Sequence, residues 1–250
     1  MNNNKEQREI LRLIRKMNQE QRKAFDSLLE DVRNIQREAE EKGITKKQFM
    51  KALFIVDMNN GFVNFGAMAN QEYNALVPEQ LRLIEKFRKE EQLVDFILEG
   101  HVEDAVEFLL YPPHCVLGTP EADLIPEFAE EANHDNTNIY YKNSINGGLN
   151  LDLQIDLEDL KDLKEIVVCG VCTDLCVLDF VMTLARYLDD INHKVQIFVV
   201  AGVCDTFDAP GHGRDEESER AYHTMRKAGV EIVANIEELE MKEKALGLTI

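Results

Sequence analysis

Two different rhythms of apolar residues divide the chain near position 50. Before it, Ile10, Leu11, Leu13, Ile14 and Met17 recur at helical spacing, as do Phe25, Leu28, Leu29, Val32 and Ile35, which predicts two amphipathic helices. From Ala52 the pattern changes to short apolar runs separated by helical stretches: 52–56, 93–98, 138–141, 165–169, 195–200 and 230–233. Near-continuous Val, Ile and Leu runs are what parallel strands covered on both faces require. The expectation is a doubly wound, three-layer αβα domain over residues 51–250, with a mostly parallel sheet of about six strands, and an N-terminal helical extension over residues 1–50. The apolar stripes of that extension need a surface. A symmetry mate covers them most economically, so a homo-oligomer is expected; the stripes can also lie on their own subunit or meet an unrelated partner.

Composition narrows the class. At 250 residues and 44% hydrophobic content the chain can bury one large core. No stretch approaches the roughly 20 apolar residues that span a bilayer, and Met-Asn-Asn-Asn-Lys at the start is not a signal peptide, so a cytoplasmic location is expected. Twenty-eight basic against 47 acidic residues give a net charge of −19, which disfavours nucleic acid and anionic membranes as partners. Cys115, Cys169, Cys172, Cys176 and Cys204 form an odd set and are expected to be reduced thiols.

In doubly wound sheets, ligands sit beyond the carboxyl ends of the strands. The polar residues expected there are Asp57, Glu99, His101, Lys142, Cys172 and Cys176. If Thr173 and Asp174 open the helix after the fourth strand, Cys176 lies in its first turn, where unpaired N–H groups favour a thiolate. The alternative is a small residue packed under the sheet. Asp57 reads either as a loop-capping carboxylate or as a base; a carboxylate, an ammonium and a thiol meeting at one edge can make an activated nucleophile.

The stretch from Glu99 to Cys115 holds His101 and His114 among several carboxylates, with Pro112 and Pro113 fixing the backbone. It reads as a Zn, Fe or Mn site or as a polar surface loop. Cys172 and Cys176 lack the second cysteine pair of a structural zinc site. His134, His193 and His223 read as surface residues, while His212, between Gly211 and Gly213, is a candidate for a substrate lid.

Four separated segments together resemble the isochorismatase-like cysteine hydrolases, most closely their nicotinamidase branch. These are Ala52-Leu53-Phe54-Ile55-Val56-Asp57-Met58-Asn59-Asn60-Gly61-Phe62, Tyr111-Pro112-Pro113-His114-Cys115, Lys142-Asn143-Ser144 and Gly170-Val171-Cys172-Thr173-Asp174-Leu175-Cys176-Val177. The resemblance covers roughly residues 50 to 235. It implies Cys176 as nucleophile, Asp57 as proton acceptor, Lys142 as electrostatic partner of the thiolate, and a cis peptide at Val171–Cys172 that aims the N–H groups of Cys172 and Cys176 as an oxyanion hole. It implies a divalent metal on Glu99, His101, Glu107 and His114, and a substrate held among Phe62, Tyr111 and Val171. The family pattern has Asp where Glu99 stands, Trp for Tyr111 and Ala for Cys172. The implied activity is hydrolysis of a small planar amide, nicotinamide first, through a thioester, with a place in NAD metabolism. A sister amide or carbamoyl hydrolase and a non-catalytic regulatory protein on the same scaffold are the alternatives.

Overall fold

The computed structural model describes residues 48–249. The N-terminal extension expected from the sequence therefore lies outside the described residues, all but its last three positions. Six strands, β1 (Lys51–Val56), β2 (Leu93–Glu99), β3 (Ile139–Lys142), β4 (Glu165–Val171), β5 (Gln196–Asp205) and β6 (Glu231–Val233), form one sheet in the order β3-β2-β1-β4-β5-β6. Every pairing is parallel. All residues of β1, β2 and β4 are buried, as central strands covered on both faces must be. Edge strand β3 instead leaves Tyr141 exposed.

Among the described residues, five α-helices lie between strands, α1 (Asn60–Val63), α2 (Val77–Lys89), α3 (Leu151–Asp159), α4 (Leu178–Asp190) and α5 (Arg214–Lys227), and α6 (Ile236–Leu246) follows β6. Helix α2 starts with a proline in its first turn, follows it with Glu79, and ends in Lys86, Arg88 and Lys89; both ends complement the helix dipole. Helix α4 buries the stripe Phe180, Val181, Leu184, Ala185 and Leu188. Phe180 meets Phe54 of β1 edge to face at 5.4 Å.

Two strands run past their expected ends by more than one residue. Strand β4 continues through Gly170 and Val171, and β5 continues beyond Val200 to Asp205, with a register shift between Val168 and Gly170 that realigns Gly170 with Cys204. Gly170 has φ 125°, and a Cβ there would stand 2.1 Å from the Val56 carbonyl oxygen. Only glycine lets β4 pass β1 that closely.

The amino edge of the sheet is closed by buried charge. Lys51 Nζ lies 2.8 Å from Glu243 Oε1 and 2.9 Å from Glu90 Oε2, and Lys86 Nζ lies 3.0 Å from Glu243 Oε2. Glu165, beside Lys51 in the register, has its carboxyl pushed up to about 9 by burial and by Glu243. Burial opposes ionisation of Glu243 too, yet hydrogen bonds from Glu165, Lys51 and Lys86 hold it below the ordinary range. Glu165 thus carries the proton and Glu243 the charge, which ties α2 and α6 to β1 and β4.

Candidate active site

At the opposite, carboxyl edge, the strand ends converge. Asp57 follows β1 in the left-handed region at φ 53°, a conformation aspartate tolerates better than most residues; its N–H donates to the Ile97 carbonyl at 2.8 Å. Lys142 ends β3 and is buried. Its Nζ lies 2.9 Å from Asp57 Oδ2, 2.7 Å from Glu99 Oε1 and 3.7 Å from Cys176 Sγ. Beyond β4 the Val171–Cys172 peptide is cis. Residues Thr173–Val177 then form one π turn, the Val177 N–H reaching the Cys172 carbonyl at 3.1 Å, before α4 begins. Cys176 lies in that first turn, wider than the α turn its sequence predicts.

The electrostatics follow from burial around one ammonium. Burial works against the Lys142 charge, but Asp57, Cys176 and Glu99 raise its pKa well above the ordinary lysine value. Burial pushes the Asp57 carboxyl up to about 6, Glu99 adding to it while Lys142 and Cys176 pull back. Burial and then the Asp57 charge drive the Cys176 thiol well above its ordinary value, against the pull of Lys142. This differs from the resting thiolate that a helix start alone suggests. Two carboxylates already share the lysine, so the sulfur keeps its proton until a base removes it.

Glu99 reaches two ways. One oxygen meets Lys142; the other, Oε2, lies 2.8 Å from His114 Nε2 and 3.5 Å from His101 Nε2. Glu107 completes a group whose donor atoms all lie within 4.8 Å of one another. His101 Nδ1 faces Asn143 Oδ1 at 3.3 Å; that oxygen already accepts the Val102 N–H at 2.9 Å, so Nδ1 carries the hydrogen. Its Nε2 is then a buried lone pair with no hydrogen-bond partner. His114 likewise donates Nδ1–H to the Pro112 carbonyl at 2.8 Å, which leaves its Nε2 facing a carboxylate oxygen. Two imidazole nitrogens aimed at one carboxylate fit a divalent cation held between them.

Glu99, Glu107, His114 and Cys176 line a cavity of about 140 Å³, whereas Asp57, Lys142 and His101 are not among its lining residues. Glu99, Glu107, His114 and Cys176 supply its polar side, and Phe62, Tyr111 and Val171, the residues the resemblance implies for the substrate, are apolar walls together with Ile145, Leu175 and Phe207, which the sequence did not single out. Sequence reading also missed Asn59, whose buried amide donates to the Glu99 and Ala122 carbonyls at 3.0 and 2.8 Å and holds the end of β2. Tyr73 was missed too; its hydroxyl meets Cys172 Sγ at 3.3 Å. An amide two residues after Asp57 was the available signal for Asn59, whereas Tyr73 had none. Cys115 is buried and packs. His134 and His223 are exposed, but His193 is half-buried against the Leu163 carbonyl, at 3.2 Å. Outside the cavity, Met68, Asn70 and Phe207 open onto a wider vestibule carrying Glu72, Asp208, Asp215 and Glu216 with Arg214.

The isochorismatase domain model matches residues 51–237. The chain belongs to the isochorismatase family. Among its relatives, Nicotinamidase 1 of Arabidopsis thaliana is 34% identical over 190 residues, which cover 69% of this chain and 76% of the relative. Nicotinamidase/pyrazinamidase of Mycobacterium tuberculosis is 27% identical over 201 residues, covering 74% and 100%. A solved structure of the Pyrococcus horikoshii pyrazinamidase in complex with zinc superposes with a TM-score of 0.60 at 25% identity, covering 74% of this chain and 98% of that one. The departures of this isochorismatase-family chain from the family pattern, Glu99, Tyr111 and Cys172, all line the cavity.

Proposed function

We propose that this protein is a cysteine amidohydrolase that converts nicotinamide and water to nicotinate and ammonia. The convergence of Asp57 and Lys142 on Cys176, which lines a small cavity, with the Glu99, His101, Glu107 and His114 cluster next to Lys142, carries the reading. The relatives named nicotinamidase support the substrate.

The chemistry follows from the charges. Asp57 takes the Cys176 proton as the sulfur attacks the carboxamide carbon, and the Lys142 ammonium stabilises the anionic sulfur as it forms. The backbone N–H groups of Cys172 and Cys176 take up the charge on the carbonyl oxygen, a role typically worth about 2.7–4 kcal/mol per donor. Collapse breaks the C–N bond, and the proton on Asp57 leaves with the amine as ammonia. Asp57 then accepts a proton from water, whose oxygen attacks the thioester; as the C–S bond breaks, Asp57 returns that proton to the Cys176 sulfur and the acid is freed. Glu99, His101, Glu107 and His114 would hold a zinc, iron or manganese ion, which supplies a Lewis-acidic anchor for a ring nitrogen. Phe62, Tyr111 and Val171 enclose the ring. The five free cysteines suit a reducing cytoplasm, and a homo-oligomer built through residues 1–50 remains part of the proposal.

The purified protein should release ammonia and nicotinate from nicotinamide in equal amounts, and Cys176→Ala should release neither. Ammonia only from a carbamoyl compound would reassign the chain to a sister activity. Failure on every small amide, with Cys176 inert to alkylation, would leave a non-catalytic member of the family.

A further inference from the structure

His212 was expected only as a lid candidate, and the structure gives it definite partners. Ala209 and His212 close a tight turn by exchanging both backbone hydrogen bonds, at 2.9 and 2.8 Å. Pro210 and Gly211, at φ 85°, occupy its corner, as a type II turn requires. The turn folds the imidazole flat onto Phe207, with ring centroids 3.9 Å apart and planes within 7°. Nδ1 faces the Phe207 carbonyl at 3.1 Å and Nε2 faces Asp174 Oδ2 at 2.8 Å.

Both facing oxygens are acceptors, so both bonds exist together only when both ring nitrogens carry hydrogen. The side chains of His212 and Asp174 are 22% and 10% exposed, which leaves this ion pair only partly screened by solvent. The charged groups acting on the ring are Asp174, from the nucleophile turn, and Glu217, from α5. Asp174 precedes Cys176 by two residues in the π turn, and Phe207 is a wall of the cavity and of its mouth. One side chain therefore spans the loop that walls the substrate site and the turn that carries the nucleophile.

We propose that His212 is a positioning residue: its imidazolium, bonded to Asp174 and to the Phe207 carbonyl, fixes the Phe207 ring as a substrate-cavity wall and locks that wall to the Cys176 turn. The effect falls on substrate binding and on what can pass the mouth, since His212 touches no reacting atom. The use of nicotinamide turnover as a readout rests on the proposed function; the other readouts do not.

His212→Gln, which cannot donate in both directions from a charged ring, should raise KM for nicotinamide about tenfold with kcat changed much less. His212→Arg keeps a planar cation and should stay within about threefold of the wild type. The wild-type KM should rise with pH as the imidazolium loses its proton, above the ordinary histidine range, while that of His212→Arg stays flat. Independently of turnover, the bulky reagent N-ethylmaleimide should gain on iodoacetamide in the rate of Cys176 labelling about tenfold in His212→Gln. The NMR titration of the His212 ring should move down in Asp174→Asn. Phe207→Leu, which leaves the ion pair intact, should reproduce the KM and labelling effects. Unchanged KM and labelling in His212→Gln, or equal damage in the Arg and Gln variants, would overturn the proposal. Wild-type protein inactive on nicotinamide, but with the labelling and NMR shifts intact, would sink the substrate and keep the clamp.

Discussion

In the proposed mechanism Asp57 is the residue on which the chemistry turns, because burial and the Asp57 charge hold the thiol beside it well above its ordinary pKa. A base must be ionised to accept a proton, and burial places the Asp57 midpoint at about 6. The ratio kcat/KM should therefore fall as pH drops through about 6 and level off above it; a profile flat across that region would assign the base elsewhere. Asp57→Asn should lower kcat by about 10²–10⁴-fold at every pH. Glu99 carries a second test. Glu99→Gln removes the charge that both imidazoles face, so metal retained after dialysis against a chelator should drop, with affinity weakened at least about tenfold. Metal content equal to wild type would remove Glu99 from the ligands. Asn59 and Tyr73 aside, Asp57, Glu99, His101, Lys142 and Cys176 were legible in the sequence as polar residues just beyond apolar runs. That Lys142 is shared by two carboxylates was not, since it depends on distances between three strand ends with no local signature.

At the scale of elements, the apolar runs located all six strands, and the misses have local causes. Ala201 and Gly202 interrupt the apolar run of β5, yet the strand goes on, because the shift at Val168/Gly170 gives its last residues new partners in β4. Gly170→Ala should fail to accumulate as folded protein, since its methyl would fall on the Val56 carbonyl; a soluble variant with wild-type melting would contradict that packing. The charged amino edge makes a signed prediction. Glu165 has a folded midpoint of about 9 against an ordinary value of 4.5, so between these limits the folded state binds more protons than the unfolded one. Stability should decline as pH rises through that window, and Glu165→Gln should flatten the slope in denaturant titrations. Lys51→Ala leaves buried carboxylates without their cation and should cost about 3–5 kcal/mol.

For the whole molecule, fully buried runs identified a doubly wound parallel sheet, but not its order, in which β1 and β4 lie side by side at the centre. That adjacency places Asp57 next to the Cys176 turn, and nothing in the spacing of the runs encodes it. Residues 1–50 fall outside the family match. Deleting residues 1–45 should lower the mass per assembly in light scattering while Cys176 still alkylates. An unchanged mass would move their apolar stripes to their own subunit or to another protein.

The acidic vestibule bears on how a turnover ends. A neutral carboxamide passes this vestibule without electrostatic cost, but the carboxylate it becomes meets the repulsion of Asp208, Asp215 and Glu216, with Arg214 paired to Glu72, and that of a chain carrying −19 overall. Product inhibition by nicotinate should consequently be weak at low ionic strength and grow as salt screens the field over about 10 Å at 0.1 M. On this reading, hydrolysis creates the charge that opposes rebinding of its own product.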